Sequence, residues 1–198
     1  SFGPHPSLFF VPADDEILYL LDAKNDFKFV AREISTDTNF SGSEIFNETQ
    51  LKDFAKNVSF PSHGLIMRKE KGSRDAVIKG IDTWESLYLH FQHYKMESNS
   101  VFVETEMRAM YNPMRMRVIG KATHKLVRII HSVCPACGIP GFWITDAIRG
   151  LPCARCGRPT RSVLSHIYQC QNCQYRREEI YPDQKIKEDP LYCDFCNP

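Results

Sequence analysis

The chain has 198 residues, with 25 basic and 24 acidic side chains and a formal net charge of +1. That balance argues against strong non-specific attraction to nucleic acid. No stretch approaches the roughly 18 apolar residues of a membrane span, and none has the make-up of a signal peptide. The length allows one or two domains.

The chain opens on Ser1 rather than Met, and Ser1-Phe2-Gly3-Pro4-His5-Pro6 reads as the middle of a loop entering a strand, as expected of a fragment that lacks an N-terminal portion. Ser7 to Pro12 is a short apolar strand, Ala13-Asp14-Asp15 a polar turn, and Glu16 to Leu21 a buried strand. Asn25-Asp26 turns the chain into Phe27 to Ile34, where Phe27, Phe29 and Ala31 alternate with polar residues, so a hairpin is expected. A polar loop covers 35–42. Leu51, Phe54, Ala55 and Val58 predict a helix over 48–57. Leu65-Ile66-Met67 and Ala76-Val77-Ile78 are strands across a charged turn. Asp82 can cap a helix over 83–96, whose apolar stripe is Trp84, Leu87, Tyr88, Phe91 and Tyr94. Val101-Phe102-Val103 is a further strand. Asn112 and Pro113 are a cap and first position for a long helix to about His131, with Arg117, Lys121, Lys125 and Arg128 along one face.

These elements predict an α/β or α+β fold: a small mixed-sheet domain over 1–131 with about three helices, followed by a cysteine-rich domain over 132–198. Cys134, Cys137, Cys153, Cys156, Cys170, Cys173, Cys193 and Cys196 form four Cys-x-x-Cys pairs separated by 15, 13 and 19 residues. Two thiolates on one tight turn grip a metal ion, and two such turns complete a tetrahedral sulfur site, the signature of a zinc ribbon. Gly138, Gly157 and Asn197 follow three of the pairs, where a knuckle favours a left-handed backbone; Gln174 follows the other. All-sulfur ligation favours zinc, with iron the main competitor, and four thiolates leave no open position, so two structural Zn2+ ions are expected. Their binding supplies the folding free energy that a segment this short lacks, on the order of 10 kcal/mol. The spacing favours sequential sharing, 134/137 with 153/156 and 170/173 with 193/196, over a cross-braced or nested arrangement. So many free thiols point to a reducing compartment, hence to the cytoplasm.

Between Asp146 and Glu178 there is no acid, whereas Arg149, Arg155, Arg158, Arg161, Arg176 and Arg177 fall there or at its edge. This arginine-rich stretch is either a solvated face or a contact surface for a partner. Outside it the chain has no phosphate-binding Walker loop, nucleophile elbow or His-Glu-x-x-His motif. Four polar loops stand out: the first with His5, the second with Asp37, the third with His63, and the fourth with Glu104, Glu106, Arg108, Asn112 and Arg115. Glu104, Glu106 and Arg108 alternate and so share a strand face, forming either an internal salt-bridge network or a ligand site.

The strings Ser1-Phe-Gly-Pro-His-Pro6, Glu104 to Arg115, Pro159-Thr-Arg-Ser162 and Tyr192 to Pro198 resemble an uncharacterised bacterial family, a domain of unknown function that ends in four such knuckles. The likeness covers nearly the whole chain and implies no activity. Two functions follow from the residues. One is a zinc-stabilised binding module for a nucleic acid or protein partner, through the six arginines, with no membrane involved. The other comes from a likeness in layout to house-cleaning nucleotide pyrophosphatases. It implies a Mg2+-dependent hydrolase with Glu104, Glu106, Arg108, Asn112, Arg115, His5 and Asp37 as candidate catalytic residues.

Overall fold

The computed structural model describes residues 2–5 and 10–198. The strand expected over 7–12 falls largely on residues 7–9, which lie outside the described residues, as do Ser1 and Pro6 of the opening loop. The fold is α+β, with three α-helices and three separate sheets among the described residues. Among the described residues no helix is long and apolar enough to cross a membrane.

The chain separates into two compact units, 1–18 with 32–123 and 19–31 with 124–198. The sequence reading put a single border at 131/132. The second unit takes in the hairpin tip and the end of the last helix along with the cysteine-rich residues.

The first unit is built on a four-stranded sheet of order β4-β7-β5-β6, from β4 (Gly42–Ile45), β5 (Leu65–Arg68), β6 (Ile78–Ile81) and β7 (Val101–Thr105). Alternation along these strands separates two faces. Leu65, Met67, Val101 and Val103 point inward and are buried with Ile45 and Ile81 against Leu51 and Ala55 of α1 (Glu48–Asn57) and Leu87, Phe91 and Tyr94 of α2 (Trp84–Glu97). Ile66, Arg68, Phe102 and Glu104 occupy the opposite face, since Ile66 pairs with Glu104 and Arg68 with Phe102. Asn47 caps α1 by accepting from Gln50 N at 2.9 Å. Thr83, not Asp82, caps α2. Two strands depart from expectation. Gly42–Ile45 is extended because it pairs with β7, not through any pattern of its own. The β6 strand starts at Ile78, because Ala76 takes a positive φ of 50°.

The strand β2 (Pro12–Asp22) begins earlier than expected and absorbs the supposed turn Ala13-Asp14-Asp15. It is not the buried apolar strand its composition suggests. Ile17, Tyr19 and Leu21 are 59, 57 and 53% exposed, while Asp14 and Glu16 are buried. It forms a sheet of order β1-β2-β3 with β1 (Phe2–Pro4) and β3 (Phe27–Ser35).

In the second unit Phe29 and Ala31 of β3 pack with Ile129 of α3 (Pro113–His131). Beyond α3 lie β8 (Trp143–Arg149), β9 (Val163–Gln169) and β10 (Arg176–Ile180), an antiparallel meander of order β10-β9-β8.

Candidate metal centres and a cleft in the first unit

The meander decides which cysteines meet. Strand β8 leads away from the first knuckle, and its last residues pair with the start of β9: Arg149 lies opposite Val163. The second knuckle, 153/156, sits in the connection at that far end. Strand β9 then returns, Gln169 lying opposite Trp143, and delivers the third knuckle beside the first. Strand β10 runs out once more. There Glu188 pairs in parallel with Cys153, donating from its N to Pro152 O at 2.8 Å and accepting from Ala154 N at 2.8 Å, and so brings the fourth knuckle to the second.

Two groups of four sulfurs result: Cys134, Cys137, Cys170 and Cys173 in one, Cys153, Cys156, Cys193 and Cys196 in the other. The sequential sharing expected from spacing is therefore incorrect, and the pairs interleave. The reason is distance. A strand of seven residues covers about 23 Å, so knuckles at opposite ends of β8 or β9 cannot reach one ion.

Within the groups, the Cys134–Cys173 and Cys137–Cys170 sulfurs are 3.7 and 3.6 Å apart, and Cys153–Cys196 and Cys156–Cys193 are 3.9 and 3.6 Å apart. Metal–thiolate bonds of about 2.3 Å in a tetrahedron require sulfur separations of about 3.8 Å, so both sets fit a metal ion. The first cysteine of every pair is buried, and the second is exposed or half-buried. Backbone N–H groups of Ala136 and Arg155 donate to Cys134 and Cys153 sulfur at 3.4 Å each. The Ile139 backbone N–H, together with donors from the facing cysteines and Asn172, brings the Cys137 thiol down to about 6. Gly138 and Gly157 follow their knuckles at φ of 73 and 70°, as expected, and Gln174, the least suited of the four, is also left-handed at 60°. Asn197 instead donates through its side chain to Leu191 O at 2.9 Å.

Glu188 carries no signal in its neighbourhood that marks it out in the sequence. It is buried, and the Lys185 ammonium first, then Ser162 and the Asp189 N–H, hold its carboxyl down at about 2. It ties the last linker to the second knuckle.

The six arginines near the knuckles do not form one patch. Arg158 stacks on Phe195 at 4.0 Å, Arg161 pairs with Asp194 at 3.0 Å, and Arg177 lies over Tyr168 at 4.8 Å. Arg149, Arg155 and Arg176 are exposed, with no side-chain partner among the described residues.

In the first unit the outer face of the four-stranded sheet opens into a cleft of about 390 Å3. Its lining includes four of the seven candidate residues: Glu104, Glu106, Arg108 and Arg115. Glu106 is buried and accepts four hydrogen bonds: Arg108 Nη2 at 2.8, Nε at 3.0 and N at 3.1 Å, and Gly80 N at 3.2 Å. Burial pushes its carboxyl up, but these donors and the Arg108 charge outweigh it and leave it below the usual range. Glu104 pairs with Arg68. Arg115 donates to Glu16 at 2.8 Å and to Met107 O at 2.5 Å, and lies over the Phe2 ring at 4.9 Å.

The other three candidates are elsewhere. Asn112 is buried, caps α3 by accepting from Arg115 N at 2.9 Å, and donates to Asn39 at 2.9 Å. Asp37 is exposed and 3.6 Å from Arg117. His5 is placed by its backbone, whose N–H donates to Val11 O at 2.8 Å. His63 belongs to the scaffold too: its Nε2 accepts from Met114 N at 3.3 Å at the start of α3, and burial lowers its pKa.

Sequence reading missed the acids beneath Arg115. Asp14 and Glu16 alternate on β2 and both are buried. Neither oxygen of Asp14 has a hydrogen-bond partner among the described residues. Burial first, then the neighbouring Glu16, raises the Asp14 carboxyl to about 7, against the Arg115 charge.

The chain belongs to the family described as a domain of unknown function, DUF6671, which matches residues 1–198. No curated protein and no solved structure matches it.

Proposed function

We propose that the protein is a zinc-stabilised binding module, with two structural Zn2+ ions in the two interleaved four-cysteine groups and a partner contacted through the cysteine-rich unit. The observation that carries this reading is the sulfur geometry. Four thiolates at tetrahedral spacing fill the coordination shell of each ion and leave no place for a substrate. All-sulfur donors favour zinc among the divalent ions. Sulfurs kept as thiols imply a reducing compartment, and we assign the protein to the cytoplasm.

The cations open to a partner are Arg149, Arg155 and Arg176, the three arginines not engaged with neighbouring side chains among the described residues. Tyr175 beside Arg176, and Tyr192 and Phe195 flanking Cys193 of the fourth knuckle, are exposed. Cations beside exposed rings suit a single-stranded nucleic acid, whose phosphates and bases they can meet, and a protein partner is the other candidate.

Fluorescence anisotropy with single-stranded RNA and DNA tests the nucleic-acid form. Saturable binding at about 50 mM salt that weakens as salt rises is expected. It should also weaken when Arg149, Arg155 and Arg176 are replaced together by Ala. No binding under those conditions ends the nucleic-acid form.

The magnesium-dependent hydrolase draws less support. Its ion would need free carboxylates, but Glu106 is saturated by Arg108 and Gly80 and Glu104 is paired with Arg68.

A further inference from the structure

The cleft in the first unit has the character of a small-molecule site, independent of the cysteine-rich unit and of the binding-module reading. Its volume of about 390 Å3 falls in the range of roughly 300–1,000 Å3 typical of such sites. Its walls combine rings, cations and one open acceptor.

The rings are Phe2 and Phe40, stacked with centroids 5.9 Å apart and planes 22° apart. Phe40 is 44% exposed, so part of its ring remains open to solvent.

The cations are Lys79, Arg108 and Arg115. Each nearby acid is matched by one guanidinium: Glu106 by Arg108, Glu104 by Arg68, Glu16 by Arg115. Lys79 is exposed on β6 and has no partner among the described residues. Asp14 is buried near Arg115, behind the lining, with no hydrogen-bond partner among the described residues. Among the described residues, Lys79 is thus the lining cation with no acid against it. The Arg68 contact uses Glu104 Oε1, which leaves Oε2 to accept from a ligand.

We propose that this cleft binds a small organic anion that carries a flat ring. Lys79, Arg108 and Arg115 take the anionic group, and Phe40 takes the ring. Arg108 and Arg115 are each held by an acid and Lys79 by none among the described residues, so the ligand that suits the cleft is an anion. A neutral aromatic would leave Lys79 unmatched, and a bare inorganic anion would leave the ring wall unused.

Isothermal titration calorimetry on the zinc-loaded full chain tests this, with AMP as the probe and adenosine and inorganic phosphate as its two halves. AMP is expected to bind saturably and about tenfold more tightly than either half, a difference of about 1.4 kcal/mol. Lys79→Ala and Phe40→Ala, both at exposed positions, are each expected to weaken AMP about tenfold while thermal melting is unchanged. No saturation by AMP at millimolar concentration overturns the proposal. Phosphate binding as tightly as AMP overturns the role of the ring, and unchanged affinity in both variants overturns the location.

Discussion

The sulfurs of Cys137 and Cys170 lie 3.6 Å apart although 33 positions separate them in the chain. Between them runs the whole second knuckle, and it belongs to the other group. Each four-cysteine group thus closes a loop that contains half of its neighbour. Order at one centre fixes one end of the β8–β9 ladder, and order at the other fixes the opposite end.

Removing the metal should therefore unfold the second unit as a whole. With a strong zinc chelator, hydrogen exchange is expected to accelerate throughout Val163–Gln169 and Arg176–Ile180, because both ends of the meander lose their anchor together. Protection in Glu48–Asn57 and Val101–Thr105 should persist, since these elements share a core of Leu51, Leu87, Val101 and Val103 that owes nothing to sulfur. Protection surviving in β9 after chelation would show that the unit folds without its ions.

Asp14 should make the first unit less stable as pH rises. Its carboxyl is raised from 3.8 to about 7 in the fold. The protonated form is thus the favoured one. The stability it contributes is fully present below about pH 4 and is lost as pH climbs through 7. Asp14→Asn keeps a neutral group there. Its melting temperature relative to the unsubstituted protein is expected to rise from pH 5 to about 7 and then level off, and a pH-independent difference would refute the assignment.

Asn112 is a structural residue in this account. Asn112→Ala removes the cap on α3 and leaves Asn39 without its donor. A loss of about 2–3 kcal/mol is expected from the two effects together. Urea denaturation measures it. A loss below about 0.5 kcal/mol, the level of an ordinary surface change, would show that the cap is dispensable.

Glu106 organises the cleft floor. Glu106→Ala strips the acceptor from Arg108 N and Gly80 N and frees the Arg108 guanidinium. The expected cost is about 2–3 kcal/mol, again by urea denaturation. Glu106→Gln should cost less, since the amide oxygen still accepts from one of the two N–H groups.

The helices were legible because their signals are local. Leu51 and Ala55 repeat at helical spacing, and Asn112-Pro113 is a cap followed by a first-turn proline, so the start of α3 is as expected. The four knuckles and the left-handed glycine after two of them were legible for the same reason, whereas the left-handed residue after the third is Gln174, the least suited by type. What the chain hid is non-local. Gly42–Ile45 has one apolar residue and becomes a strand only against β7. Asp14 reads as a turn residue but is buried within β2, beside Glu16 and Arg115. Linkers of 15, 13 and 19 residues are long enough either to loop back or to hold a strand. Spacing alone could not distinguish sequential from interleaved sulfur sites; strand direction does.

Zinc content of two fourfold Cys→Ser variants tests the interleaved centres most directly. The first replaces Cys134, Cys137, Cys170 and Cys173, and the second replaces Cys134, Cys137, Cys153 and Cys156. Native mass spectrometry should find one zinc ion in the first, because the other group of four is intact. It should find none tightly held in the second, because each group is left with two sulfurs. One ion in the second variant and none in the first would contradict the account.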